Sequence, residues 1–288
     1  MHIMGAGAVQ LLLLIILAFL KVHSQPHLLD PQCAMARSDQ GQYRVIYGKS
    51  ADLFSNPWMV IIIKGGMMTC GGSLITPRYV LTAAHCNSEP KSQLTVRLGE
   101  YDVNQPIDCT SYGCISRPKE INVTKIYVPH QYLSFRKNDI ALLRLETVVQ
   151  YGDHIRSICL LMGTYNWASG ILKNVKKFNT TGWGRTESHT SSAVLQQITM
   201  THHSHSYCAQ FFGKQLDSST HICTASSTGS TCMGDSGGPL TARMHFGSEK
   251  RVVLFGVVSY GLIDCSGPTV FTNVIPFANW IETTTKRN

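Results

Sequence analysis

Short β-rich runs separated by turn residues constrain this chain more than any other feature. Trp58-Met59-Val60-Ile61-Ile62-Ile63 is the clearest, and Gly65-Gly66 follows it as a turn signal. Similar runs recur at Leu94 to Leu98, Ile121 to Val128, Asp139 to Leu145, Ala193 to Met200, Val252 to Ser259 and Val270 to Val274. Loops with Gly, Pro, Asn or Ser separate many of them, which predicts an antiparallel sandwich or barrel. Only the C-terminus reads as helical. Pro276 sits early, and Phe277, Trp280 and Ile281 fall at i, i+3 and i+4. No internal repeat is visible. Each half is long enough for a barrel of its own, divided near residues 150–160. With 288 residues, 43% hydrophobic and 15% charged, the chain can build a sizeable core in one or two domains, which argues against bulk disorder.

The ends and the cysteines point to export. Met1 to about Ser24 reads as a secretory signal, with an apolar run from Leu11 to Leu20 and small residues at Val22-His23-Ser24 before Gln25. That run is too short to span a bilayer comfortably. Its leading segment holds His2 but no Lys or Arg, so an uncleaved N-terminal anchor is the alternative. Ten cysteines in an exported chain suggest five disulfides, with connectivity left open by the sequence. No Cys-x-x-Cys pair occurs, which argues against a structural zinc site. Asn122-Val123-Thr124 and Asn179-Thr180-Thr181 are glycosylation sequons. The net charge of +8 is scattered, with no run longer than Lys176-Lys177, so we expect a soluble basic surface and neither nucleic-acid nor membrane partners. Thr201-His202-His203-Ser204-His205 could bind a transition metal, but lacks a complete ligand set and is expected to be an exposed loop.

Three motifs carry chemistry. Gly234-Asp235-Ser236-Gly237-Gly238-Pro239-Leu240 places one serine between glycines and beside an acid. That is what a nucleophile needs if backbone N–H groups are to reach an adjacent oxyanion. Upstream lie Thr82-Ala83-Ala84-His85-Cys86 and Asn138-Asp139-Ile140-Ala141-Leu142-Leu143. A serine hydroxyl is a weak nucleophile until a base takes its proton. Histidine is the side chain whose unperturbed pKa is near neutral, so His85 suits such a base, and Asp139 would orient its ring and stabilise its charged form. The N–H groups of Gly234 and Ser236 would bind the oxyanion. Any one of these residues alone is structural more often than catalytic; the claim rests on three extended motifs together.

On these motifs, in the order His, Asp, Ser, residues 45–288 resemble a trypsin/chymotrypsin-type serine protease domain. Thr181-Gly182-Trp183-Gly184 and Ser259-Tyr260-Gly261 also match family segments, the latter with Tyr where Trp is usual. The resemblance implies an all-β fold of two perpendicular six-stranded antiparallel β-barrels, about 45–155 and about 156–273, with a C-terminal α-helix at about 275–285. It also implies the pairs Cys70–Cys86, Cys208–Cys223 and Cys232–Cys265. Cys33–Cys159 would tether a pro-segment at 25–44, and Cys109–Cys114 would close a small loop. That loop, the tethered cysteine and Ser55-Asn56-Pro57-Trp58-Met59-Val60 are similar to arthropod haemolymph proteases of the clip-domain group. The clip module itself needs six cysteines, and residues 25–44 hold one.

Further expectations follow from the family. Arg44-Val45-Ile46-Tyr47-Gly48 is similar to an activation junction: cutting after Arg44 would free the Val45 amine to pair with Asp235. Trypsin-like members carry Asp six residues before the nucleophile, where this chain has Ser230. Gly261 would leave one pocket wall open, and Thr269 would narrow the other, which favours small or medium apolar substrate residues over Arg or Lys. Activation then requires another, trypsin-like protease. The other expected partners are a protein substrate and a serpin-type inhibitor. No cofactor is required, although Glu100, Asp102 and Asp108 lie in a loop that holds calcium in some relatives. The alternative function is a non-catalytic homologue that binds within a proteolytic cascade. Digestive and haemolymph roles both remain open.

Overall fold

The computed structural model describes residues 27–34, 49–87, 93–111, 113–132, 134, 137–186, 190–213 and 216–287. Six strands close the first barrel: β1 Met59–Lys64, β2 Met67–Thr76, β3 Tyr79–Thr82, β4 Leu94–Leu98, β5 Lys119–Tyr127 and β6 Ala141–Leu145. Six more form the second: β7 Lys177–Gly182, β8 Gln196–His203, β9 His221–Ala225, β10 Pro239–Phe246, β11 Glu249–Gly261 and β12 Thr269–Asn273. Every pairing between these strands is antiparallel. Around each barrel the order is first, fourth, fifth, sixth, third and second strand. The two halves thus share a topology although their sequences show no repeat. Lys49–Ser50 pairs with β8, so the chain touches the second barrel before it builds the first.

Burial explains why these segments are strands. β4 alternates buried and half-buried residues, with Leu94, Val96 and Leu98 inward, as a one-sided strand should. β1 is buried at five consecutive positions, because its outer face also meets protein: the Thr181 hydroxyl of β7 donates to Met59 Sδ at 3.0 Å. Trp58, Ile62, Leu74, Leu81, Leu98 and Leu142 are fully buried in the first core, each worth about 1.5–3 kcal/mol for its transfer from water. Phe178, Met200, Phe255 and Phe271 fill the second.

Two helices join the expected C-terminal one, which corrects the reading of a single helix. α1 spans Tyr165–Asn174 and α2 spans His205–Phe212; α3, Ala278–Arg287, follows a 3₁₀ turn at Ile275–Phe277. The first two start on capping side chains, Thr164 to Trp167 N and Ser204 to Tyr207 N. The histidine stretch 201–205 is therefore not a loop but the end of β8 and the start of α2. His202 Nδ1 lies 2.9 Å from the Val175 carbonyl, His205 Nε2 lies 2.8 Å from that of His221, and His203 stacks on Tyr207.

Five disulfides join Cys33–Cys159, Cys70–Cys86, Cys109–Cys114, Cys208–Cys223 and Cys232–Cys265. Residues 27–34 dock beside the first of these. His27–Leu28 pairs with Leu161–Met162, and the buried Asp30 carboxylate accepts hydrogen bonds from Tyr151 and Ser157. No helix among the described residues is long and apolar enough to cross a membrane.

Candidate active site

His85 sits in a 3₁₀ turn, Ala84–Asn87, that directly follows β3. The Cys70–Cys86 bond ties this turn to β2. Asp139 precedes β6, the strand paired to β3, so the closed barrel brings the two residues together across 54 positions. Asp139 holds His85 twice: Oδ1 accepts from the His85 backbone N–H at 3.0 Å, and Oδ2 lies 2.7 Å from Nδ1. The Asp139 side chain is 1% exposed, and that of His85 is 25% exposed. A buried carboxylate needs more donors than one ring supplies. Ser259 provides the next, its hydroxyl donating to Asp139 Oδ2 at 2.6 Å, and Thr272 donates to the Asp139 carbonyl at 2.9 Å. Both come from the second barrel. Asn138 takes a left-handed φ of 55° to present Asp139 and donates through Nδ2 to the Gln131 carbonyl.

Ser236 arrives from the other barrel, on the loop before β10. Its carbonyl accepts from Gly71 N at 2.7 Å, and Cys86 Sγ lies 3.8 Å from the same oxygen. That pins the serine beside the residue that follows His85. The loop is built on glycine. Gly237 has φ of 80°, and a Cβ there would overlap Thr82 Oγ1 and the Gly71 carbonyl. Asp235 N–H donates to Cys232 O, Gly237 N–H to Val258 O, and Gly238 N–H to Asp235 O. The N–H groups of Gly234 and Ser236, the expected oxyanion donors, have no partner among the described residues.

The Asp235 carboxylate lies against Gly182 and Gly184, where any side chain would overlap it. It accepts from Gly184 N and Cys232 N, each at 2.9 Å. Desolvation outweighs these donors and pushes its pKa up to about 6. Arg44 and Val45, the expected junction, lie outside the described residues.

The residues expected to line the specificity pocket converge. Gly261 on β11 is paired with Thr269 on β12. Ser230 Oγ is 3.3 Å from Thr269 Oγ1, and Thr231 Oγ1 is 2.9 Å from the same hydroxyl. The Cys232–Cys265 bond holds the two loops together. The three acids of the expected calcium loop lie close enough for Asp108 to act on the charge of Glu100 and Asp102 on that of Asp108. Glu100 pairs with Arg97 at 3.2 Å and accepts from Tyr101 N, while Asp108 accepts from Asp102 N at 3.3 Å. Burial raises the pKa of both Glu100 and Asp108. Among the described residues, the only close cluster of three ligand-type side chains is Cys70, His85 and Cys86, and its cysteines are consumed in a disulfide.

Twin barrels with a His–Asp pair on one and a glycine-bound serine on the other define a serine protease of the chymotrypsin-like class. The trypsin family model matches residues 45–281, and the chain belongs to that family of serine-type endopeptidases. It is 32% identical over 260 residues to the serine protease grass of Drosophila melanogaster, covering 85% of this chain and 68% of that one. It is 37% identical over 266 residues to melanization protease 1 of the same species, with 83% and 65% covered. Phenoloxidase-activating enzyme 1 of Spodoptera litura is 34% identical over 258 residues, with 84% and 67% covered. The chain thus spans about two thirds of the length of these curated relatives. A crystal structure of the Drosophila Grass clip serine protease of the Toll pathway superposes with a TM-score of 0.78 at 30% identity, covering 92% of this chain and 78% of that one.

Ser259 and Thr272 were not marked as site residues by the sequence. Ser259 stood in a family-like segment, but its bond to an aspartate 120 positions away had no local signal.

Proposed function

We propose that this chain is exported as an inactive precursor, is cut after Arg44 by a trypsin-like protease, and then hydrolyses peptide bonds in a haemolymph protease cascade. The observation that carries the reading is Asp139 holding His85 at two points while Ser236 is pinned alongside. With Nδ1–H donating to Asp139, the neutral ring keeps its lone pair on Nε2. Nε2 takes the Ser236 proton as Oγ attacks the substrate carbonyl carbon. The oxyanion accepts from Gly234 and Ser236 N–H. His85 then gives the proton to the leaving amine as the C–N bond breaks. Water, deprotonated by the same nitrogen, releases the acyl group and regenerates Ser236.

The switch is supported by Asp235. A carboxylate with raised pKa and no more than backbone donors among the described residues gains much from an arriving ammonium. The Val45 amine is the expected source, and its pairing would set the neighbouring Gly234–Ser236 backbone. The pocket supports cleavage after small or medium apolar residues. Ser230 offers a hydroxyl already shared with Thr269 and no carboxylate, so a substrate Arg or Lys would be desolvated without a counter-charge. The cascade role is supported by relatives whose names describe phenoloxidase activation, melanization and Spaetzle processing.

The test is a serine-directed fluorophosphonate probe. We expect wild type to label only after cleavage at Arg44, with Arg44→Gln and Ser236→Ala both silent. Absence of label from the cleaved wild type would point instead to a non-catalytic binder. Peptide-library profiling tests the pocket, and dominant cleavage after Arg would overturn it.

A further inference from the structure

A groove of about 620 Å³ crosses the outer face of the second barrel, between the C-terminal end of α1 and strands β7 and β10. Its wall includes Ile171, Val175 and Met244 as apolar surface, with Asn174 and Asn179 among the polar groups. Its size falls in the roughly 300–1,000 Å³ range of sites that hold a small organic molecule. None of the catalytic or pocket residues lines it. The groove holds one side chain that can carry its own occupant: Asn179, the acceptor of the sequon Asn179-Thr180-Thr181.

The geometry singles out this asparagine. Its Oδ1 accepts from Thr199 Oγ1 at 3.1 Å, while Nδ2, the atom that would bear a sugar, has no partner among the described residues. The other sequon is arranged differently. Asn122 is exposed on β5, and its Nδ2 donates to Glu146 Oε2 at 3.1 Å. Asn179 also lies in the middle of a strand paired on both sides, to Thr199 and to Thr241. Thr181, the third residue of the sequon, is buried with its hydroxyl committed to Met59. An enzyme cannot reach that tripeptide once β7 is in place.

We propose that Asn179 carries an N-linked glycan, added before β7 pairs, whose first sugar occupies this groove and covers Met244, Ile171 and Val175. The sugar's polar edge then faces Asn174 and solvent, while its apolar face meets the aliphatic wall. This inference rests on the export reading above, and not on the catalytic one.

The experiment uses the full chain expressed in insect cells. Peptide mass spectrometry reads occupancy at Asn179, and hydrogen peroxide oxidation reads cover, because a shielded methionine forms sulfoxide more slowly. We expect a glycan on Asn179 and several-fold slower oxidation of Met244 than in Asn179→Gln. Met67, 70% exposed and on the first barrel, should oxidise equally in both. If Asn179→Gln is not recovered folded, Thr181→Val, which breaks the sequon while keeping the shape of the buried side chain, replaces it. Secreted protein with Asn179 bare overturns the inference but leaves export intact. A glycan on Asn179 with unchanged Met244 oxidation overturns the seating in the groove. Protein retained in the cell without glycan overturns both this inference and export.

Discussion

Replacing Asp235 by Asn should remove a pH-dependent penalty from the uncleaved chain. Desolvation raises this carboxyl from 3.8 to about 6, despite N–H donors from Gly184 and Cys232. At 1.36 kcal/mol per pH unit, that difference amounts to about 3 kcal/mol. Because the folded pKa lies above the unfolded one, the contribution to stability is fully present below 3.8 and is lost as pH rises through 6. The precursor should therefore lose about 3 kcal/mol through this group between about pH 3.5 and about pH 7.5, and the Asn variant should not. Urea unfolding of both proteins on a Ser236→Ala background, with disulfides intact, measures it. Comparing the two curves cancels the other titrating groups. A difference that stays within about 1 kcal/mol across the window refutes the reasoning. Cutting after Arg44 adds a second arm. The new ammonium should abolish the wild-type penalty, whereas the cut Asn variant should gain nothing and, with Ser236 restored, stay inactive.

Ser259→Ala should lower kcat/KM by roughly ten- to a hundredfold with KM little changed, because a hydrogen bond to a buried carboxylate is worth about 1.5–3 kcal/mol; steady-state kinetics on the activated protein reads it. Gly237→Ala should abolish probe labelling and cost about 3 kcal/mol or more, since its Cβ meets Thr82 and Gly71 in a left-handed backbone. Thermal unfolding and fluorophosphonate labelling check both parts. Ser230→Asp should supply the missing counter-charge and shift peptide-library cleavage toward Arg and Lys. That variant should also activate its own precursor at Arg44, which gel analysis of the pure protein would show.

Much of the fold was legible because apolar runs such as Met59–Ile63 and Leu94–Leu98 coincide with strands. Strands without such runs were hidden. β2 carries Gly71 and Gly72, chosen because a side chain at Gly72 would meet Val80 and the Leu81 carbonyl. β9 reads His-Ile-Cys-Thr-Ala, yet all five residues are buried between its neighbours. The helices α1 and α2 are short, and α1 contains Gly170, so capping by Thr164 and Ser204 decides them more than propensity does. At the site, His85, Asp139 and Ser236 sit in extended local motifs and could be read directly. The donors that serve them could not, because Ser259, Thr272, Gly184 and Gly71 reach their targets through strand pairing and barrel contact.

The docked residues 27–34 would give a molecule cut at the proposed junction a lasting composition. If the chain is severed after Arg44 as proposed, its shorter piece would keep the Cys33–Cys159 bond, the edge pairing at His27–Leu28 and the Asp30 contacts to Tyr151 and Ser157. Arg251 also grips the carbonyls of Pro31 and Cys33 from the start of β11. That strand runs on to Ser259 and Gly261 at the site. The excised leader would therefore travel as a permanent light chain, a subunit of the mature enzyme and not a discarded cap.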